Sequence, residues 1–195
     1  MINRELYMEQ ITPFIDKPFV KVITGIRRCG KSVVLRLIRE ELLRRGVSED
    51  HIIYMNFESF EWMDVKEAKA LYTYIREVTK VSGKYYILLD EIQEVTDWEK
   101  AVNAFLVDLD ADIYVTGSNS RLLSSEFSTY LAGRYVAFHI MTLSFREYLL
   151  FHNVPLAISA SDRKAEFLKY LRMGGFPAIH TANYDYNAIY KIVYD

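Results

Sequence analysis

Apolar positions along this chain follow two periods, and the periods alternate. Short, mostly apolar runs at Phe19–Thr24, Ile52–Phe57, Tyr85–Leu89, Ile113–Thr116 and Tyr135–Ile140 are too short for helices and predict five strands. Tyr85–Leu89 is apolar at every position, as a strand covered on both faces requires. Between these runs the apolar residues recur every three or four positions. Val34, Ile38 and Leu42 share one face of Lys31–Arg45, which predicts a helix ended by Gly46. Val65, Ala68, Tyr72 and Ile75 share a face of a second helix, capped by Asp64 and running to about Lys80 before Gly83. Asp97 is placed to cap a third, with Trp98, Ala101, Phe105 and Leu109 inward. Leu122–Leu131, Phe145–Phe151 and Lys164–Met173 read as further helices, and Met1–Ile15 as a helix ahead of the first strand. Strands alternating with helices predict an α/β fold whose sheet is parallel, with right-handed crossovers.

Two breaks divide the later part. Val154-Pro155 to Asp162 reads as a linker, and Gly174-Gly175-Phe176-Pro177 stops the helix that follows. The chain ends at Asp195 inside an apolar stretch, Ile189–Tyr194. The expected organisation is a core over 1–153 and a helical segment over 154–195 that opens a lid or a C-terminal domain lying mostly outside this sequence.

Composition narrows the class. With 195 residues, 51% of them apolar and 26% charged, the chain can bury a core and is not of disordered type. Its net charge of −2, from 24 basic and 26 acidic residues, argues against a dedicated nucleic-acid binder. Cys29 is the single cysteine, so no internal disulfide is expected. His51, His139, His152 and His180 show no metal-ligand spacing. The charged start lacks a signal-peptide core, and no apolar run approaches the ~20 residues of a membrane span, so a cytoplasmic protein without a membrane partner is expected.

The chemistry begins at Gly25-Ile26-Arg27-Arg28-Cys29-Gly30-Lys31-Ser32, which fits G-x-x-x-x-G-K-[ST] between a predicted strand and a predicted helix. Glycines let such a loop wrap closely, so that its N–H groups point at phosphate oxygens and the following helix adds its positive end. Gly25, Ile26, Arg27, Arg28, Cys29, Gly30, Lys31, Ser32 and Val33 are the candidate nucleotide-binding residues. Lys31 is expected on the β- and γ-phosphates of ATP, and the Ser32 hydroxyl on Mg²⁺. Arg27 and Arg28 read as solvated arginines or as contacts to phosphate, nucleic acid or a neighbouring subunit. Cys29 reads as a small filler.

A second constellation ends the third strand. Asp90 and Glu91 follow Tyr85–Leu89 at the strand edge that faces the ligand crevice of a parallel sheet. Asp90 is expected to hold Mg²⁺ through its water shell, and Glu91 to polarise the attacking water as general base. The fourth strand runs into Thr116-Gly117-Ser118-Asn119, where Ser118 and Asn119 are both candidates to orient that water. Asn56, ending the second strand, is a further candidate to hold Glu91 inactive.

These residues carry a resemblance. Ile23–Ser32, Leu88-Leu-Asp-Glu-Ile-Gln93, Thr116–Asn119, Leu131-Ala-Gly-Arg134, Leu143-Ser-Phe-Arg-Glu-Tyr148 and Gly174–Pro177 are similar, in this order, to a prokaryotic family of AAA+-type P-loop ATPases whose ATPase domain precedes a C-terminal domain of unassigned function. The resemblance implies a three-layer αβα sandwich on a five-stranded parallel sheet, with an extra strand between the P-loop strand and the Asp-Glu strand. It also implies a sensor role for Ser118 or Asn119 and an arginine-finger role for Arg134. Arg172 is the one candidate for a second sensor arginine. The implied function is an ATPase that binds ATP and ADP and acts as a switch on a partner or on its own C-terminal domain, with a homo-oligomer as a further expectation. The alternatives are a nucleotide-sensing scaffold with little turnover, a small-molecule kinase using the same loop, and a DNA-binding ATPase of the origin-recognition type. Arg36, Arg39, Arg44 and Arg45 would supply that last reading, although Glu40 and Glu41 interleave with them as on a solvated face.

Overall fold

The computed structural model describes residues 4–118, 122 and 130–181. Its contacts divide the chain into a larger unit, Glu5–Ile26 with Lys31–Ile140, and a smaller one that takes residues 4, 27–30 and 141–181.

The larger unit is built on five parallel strands: β1 (Val20–Gly25), β2 (Ile52–Asn56), β3 (Tyr85–Asp90), β4 (Ala111–Gly117) and β5 (Tyr135–Ile140). Their order is β2-β3-β4-β1-β5, so β4 lies between the P-loop strand and the Asp-Glu strand, as the resemblance implied. Every residue of β1 and β3 is buried, which explains why apolar residues fill most of both strands. Side chains alternate across the sheet. Val20, Val22, Ile87, Leu89, Ile113 and Val115 form one apolar cluster with Leu71 and Ile75 of α3 (Ala68–Val78) and with Trp98, Val102 and Phe105 of α4 (Trp98–Asp108). On the other face α2 (Lys31–Arg44) packs against β1, β3 and β4 through Val34, Leu35, Ile38 and Leu42. α1 (Glu5–Ile11) packs on α2 and β5. Helices therefore cover both faces, giving three layers.

Several boundaries differ from the sequence reading. The N-terminal helix is short, because a 3-10 turn over Thr12–Phe14 follows Ile11. α3 begins at Ala68, and Asp64 does not cap it. Residues ahead of α3 are extended instead: Thr96 donates its N–H to the Lys66 carbonyl, and Ala68 donates to the Thr96 carbonyl, so the expected first turn is used in a bridge to the β3–α4 connection. Asp97 does precede α4, but its side chain accepts from Lys100 Nζ at 2.8 Å and makes no cap bond. The expected helix Leu122–Leu131 falls largely outside the described residues, as does Ile189–Tyr194.

A polar network crosses the α2-side face near the start of the strands. Lys21 of β1, fully buried, is paired with Asp112 of β4 and donates to the Lys17 carbonyl at 2.9 Å. Asp112 Oδ2 accepts from Tyr114 Oη and from the Asp16 N–H, both at 2.8 Å, and Tyr86 Oη donates to Asp16 Oδ1 at 2.8 Å. Burial holds the Lys21 ammonium below its usual range and pushes the Tyr114 and Tyr86 hydroxyls upward.

In the smaller unit, α5 (Phe145–Phe151) opens with a capping box: Ser144 Oγ accepts from the Glu147 N–H, and the Glu147 carboxylate accepts from the Ser144 N–H. α6 (Ala160–Met173) begins four residues before the expected helix because Ser159 caps it on the Asp162 N–H, which shortens the expected linker. Gly174, with φ 74°, ends α6, and α7 (Pro177–Thr181) follows. Among the described residues no helix is long and apolar enough to cross a membrane.

Candidate functional site

The ends of β1, β3 and β4 converge because the strands are parallel and in register. Thr24 pairs with Gly117, and Leu89 with Val115, so Asp90 and Thr116 end up side by side. Asp90 is fully buried, and both its oxygens accept hydrogen bonds: Oδ1 from Thr116 Oγ1 at 2.5 Å, Oδ2 from Tyr54 Oη at 2.9 Å. Burial first, and then the neighbouring Asp90 charge, raise the Tyr54 hydroxyl well above its ordinary value, so it stays a donor. Thr116 Oγ1 also accepts the Glu91 N–H at 2.9 Å. One hydroxyl thus ties together the two acidic residues and β4.

Glu91 lies in the left-handed region, φ 53° and ψ 47°, a conformation that disfavours a residue with a Cβ by about 1–2 kcal/mol. That turn swings its carboxylate away from the strand direction. Oε1 lies 3.2 Å from Lys31 Nζ, and Oε2 accepts from Gln93 Nε2 at 2.6 Å. Lys31, the first residue of α2, is itself buried. The predicted lysine and the predicted base therefore meet directly. Ser32 and Val33, on the first turn of α2, are half-buried.

Gly25 ends β1, and Ile26 is exposed. In the smaller unit Arg27 and Arg28 are exposed, whereas Cys29 is fully buried, in keeping with a filler. Arg28 and Gly30 have φ of 65° and 104°, so the backbone reverses twice within three residues. Arg4 is buried in this unit and is the residue that sequence reading missed entirely. Its Nε donates to Glu147 Oε1 at 2.6 Å, Nη1 to the Cys29 carbonyl at 2.9 Å and Nη2 to the Met141 carbonyl at 2.9 Å. A side chain at position 30 would approach Arg4 Nη1 to 3.3 Å.

The remaining candidates are placed as follows. Ser118 follows the last residue of β4 at the same sheet edge as Asp90, and its carbonyl accepts the Leu122 N–H at 3.0 Å. Asn119 lies outside the described residues. Arg134 directly precedes β5, beside the start of β1, and donates to Asn103 Oδ1 at 3.0 Å. Asn56 does not contact Glu91: its Oδ1 accepts the Glu58 N–H at 3.0 Å, and the amide that does bond Glu91 is Gln93. Arg172 is exposed at the end of α6. Tyr54, Thr116 and Gln93 were not singled out beforehand. Thr116 and Gln93 lie in the stretches that carry the resemblance but received no role there, and Tyr54 carries no mark beyond a hydroxyl within the second strand.

A central parallel sheet in the order β2-β3-β4-β1-β5, flanked by helices, with a glycine-rich turn leading from β1 into a lysine-headed α2, defines a P-loop NTPase of the αβα type. Residues 17–149 match the AAA domain family, and the chain belongs to it. An uncharacterized protein of Haemophilus influenzae is 45% identical over 184 residues, which cover 94% of this chain and 46% of that relative. The chain thus spans about half the length of that relative. Among solved structures, AMPPCP-bound DnaA from Aquifex aeolicus superposes with a TM-score of 0.57 at 14% identity, over 100% of this chain and 62% of its own. The Aeropyrum pernix Orc1 protein, solved in complex with DNA, superposes with a TM-score of 0.52 at 14% identity, over 92% of this chain and 58% of its own.

Proposed function

We propose that this chain binds ATP with Mg²⁺ at the Gly25–Ser32 loop and hydrolyses it, as the ATPase core, over 1–153, of a longer switch protein. One observation carries the reading: the Lys31 ammonium and the Glu91 carboxylate lie 3.2 Å apart, beside buried Asp90, at the sheet edge where β1 turns into α2. The AMPPCP bound to DnaA, a protein of like fold, agrees with a nucleotide as ligand.

The donor set suits Mg²⁺. Ser32 and Asp90 offer hard oxygens, and no cluster of three or more His, Cys, Asp or Glu side chains competes among the described residues. Asp90, fixed by Thr116 and Tyr54, would hold the ion through its water shell. The ion supplies charge neutralisation between the phosphates when bound. Lys31 turns from Glu91 to the β- and γ-phosphate oxygens, and Glu91 takes the proton of the attacking water. Ser118 or Asn119 orients that water. Exposed Arg27 and Arg28 remain available to phosphate or to a neighbour.

Arg134 is proposed as a finger acting on a second copy of the chain. It lies beside Val20, at the opposite end of β1 from Gly25, and five residue steps of strand span roughly 17 Å. That is farther than an arginine side chain reaches. Residues 154–195 are proposed to open a lid or a following domain, the segment on which nucleotide state would act. A DNA-binding role draws less support: Arg44 of α2 and Arg45 just after it are paired with Glu41, and Arg39 with Glu49.

Replacement of Lys31 by alanine tests the reading. Isothermal titration with Mg-ATP should show affinity reduced by roughly tenfold to a hundredfold, because charge-assisted hydrogen bonds worth about 1.5–3 kcal/mol are lost. Unchanged affinity would remove Lys31 from the site. A slow wild-type rate despite tight binding would favour the scaffold reading over the ATPase.

A further inference from the structure

We infer that Gln93 is a positioning residue for the general base, one that fixes the Glu91 carboxylate while Lys31 leaves it; the inference rests on the hydrolysis reading above. Gln93 lies on the 3-10 turn Ile92–Glu94, which returns its side chain to Glu91 two residues earlier. Its Nε2 donates to Glu91 Oε2 at 2.6 Å. Its Oε1 is buried and has no hydrogen-bond partner among the described residues. Here the hydrogen bond that the amide makes goes to the base. Turning the amide over would set oxygen against carboxylate oxygen, two acceptors with no proton between them, so Glu91 itself dictates the orientation.

The end of β4 is shaped around this side chain. A Cβ at Gly117 would come within 2.2 Å of Gln93 Oε1. Gly117 therefore leaves space for the amide beside the strand that leads to Ser118. Meanwhile the two oxygens of Glu91 have different partners: Oε1 faces Lys31, and Oε2 faces Gln93. A phosphate that draws Lys31 away frees Oε1 and leaves Oε2 held. The carboxylate then keeps one fixed direction for its open lone pairs, which is what proton abstraction from a positioned water requires.

The test uses the whole protein and four forms: wild type, Gln93→Met, Glu91→Gln and the double variant. Methionine keeps the length of the side chain and removes the amide. Gln93→Met is expected to bind Mg-ATP within about twofold of wild type, to melt at the same temperature, and to lower kcat by about tenfold to a hundredfold with KM unchanged, the loss a misplaced group produces. On the Glu91→Gln background the same change should have no further effect on kcat, since no base remains to be positioned. If Gln93→Met fails to fold, Gln93→Leu replaces it in the same series. Wild-type kcat in Gln93→Met, or a loss of equal size on both backgrounds, would overturn the inference. So would a loss of affinity that tracks a fall in melting temperature. Wild-type turnover in Glu91→Gln would instead overturn the assignment of the base and this inference with it; a slow Glu91→Gln beside a fast Gln93→Met overturns the Gln93 inference alone.

Discussion

Lys31 and Glu91 compete for each other with whatever else the site receives. Their contact at 3.2 Å occupies the ammonium that phosphate would use and one oxygen of the carboxylate that would take a proton. Glu91→Gln should therefore have two effects of opposite kind. Turnover should fall by ~10²–10⁴-fold, because an amide cannot accept the proton. Affinity for Mg-ATP should rise by roughly fivefold, because Lys31 loses a partner worth about 1 kcal/mol. Single-turnover rates and titration calorimetry on the same variant check both, and weaker binding would show that the pair does not compete with nucleotide. Much of this site was legible at the residue scale. The loop spacing led to Lys31, and a carboxylate pair after an apolar strand led to Asp90 and Glu91. Tyr54 and Gln93 were not legible: their roles depend on β2 lying next to β3 and on the left-handed turn at Glu91, and neither leaves a mark in the spacing of residues.

At the scale of elements, apolar runs revealed which segments are strands but not what they tolerate inside. Lys21 sits among apolar residues of β1, a strand flanked by β4 and β5, and is fully buried. Its partner Asp112 lies on the neighbouring strand, far along the chain, so the pair becomes visible only once β1 and β4 are adjacent. Breaking such a pair from one side leaves a buried charge. Lys21→Met should reduce stability by about 3–5 kcal/mol, and adding Asp112→Asn should restore most of it, since the amide oxygen can still accept from Tyr114 and the Asp16 N–H. Urea unfolding of the two variants checks this; equal stability of single and double variants would show that the charge is not the source. The α3 start illustrates the same limit: Asp64 is a good cap in sequence, but the bridge between Glu67 and Thr96 claims the backbone first.

At the scale of the whole molecule, the strand order places the loop at one end of β1 and Arg134 at the other. If Arg134 is the finger proposed above, it can reach only a neighbour's site. Activity per subunit should therefore rise with concentration as copies assemble. Arg134→Ala should bind Mg-ATP yet turn over slowly, by ~10³–10⁵-fold if the finger is fully engaged in the assembly. Mixing it with Lys31→Ala should recover part of the rate, because each variant supplies what the other lacks. Rates independent of concentration, with no recovery on mixing, would count against action between subunits. The fold was legible at this scale because alternation of strands and helices admits few topologies. A homo-oligomer is expected from the resemblance alone, because residues that would meet across subunits show no periodicity within one.

The position of β1 also sets a timetable for synthesis. β1 is made well before its two partners, β4 and β5, which end at Gly117 and Ile140. At ~5–20 residues per second, a nascent chain waits several seconds or more between making Gly25 and making the strands on either side of it. During that interval Lys21 has no Asp112, and the run Val20–Gly25 has two open edges of unpaired backbone. The strand that leads into the Gly25–Ser32 loop thus meets its neighbours only after they have been made. Capture of nucleotide by the emerging chain would mark the moment when the sheet closes around β1.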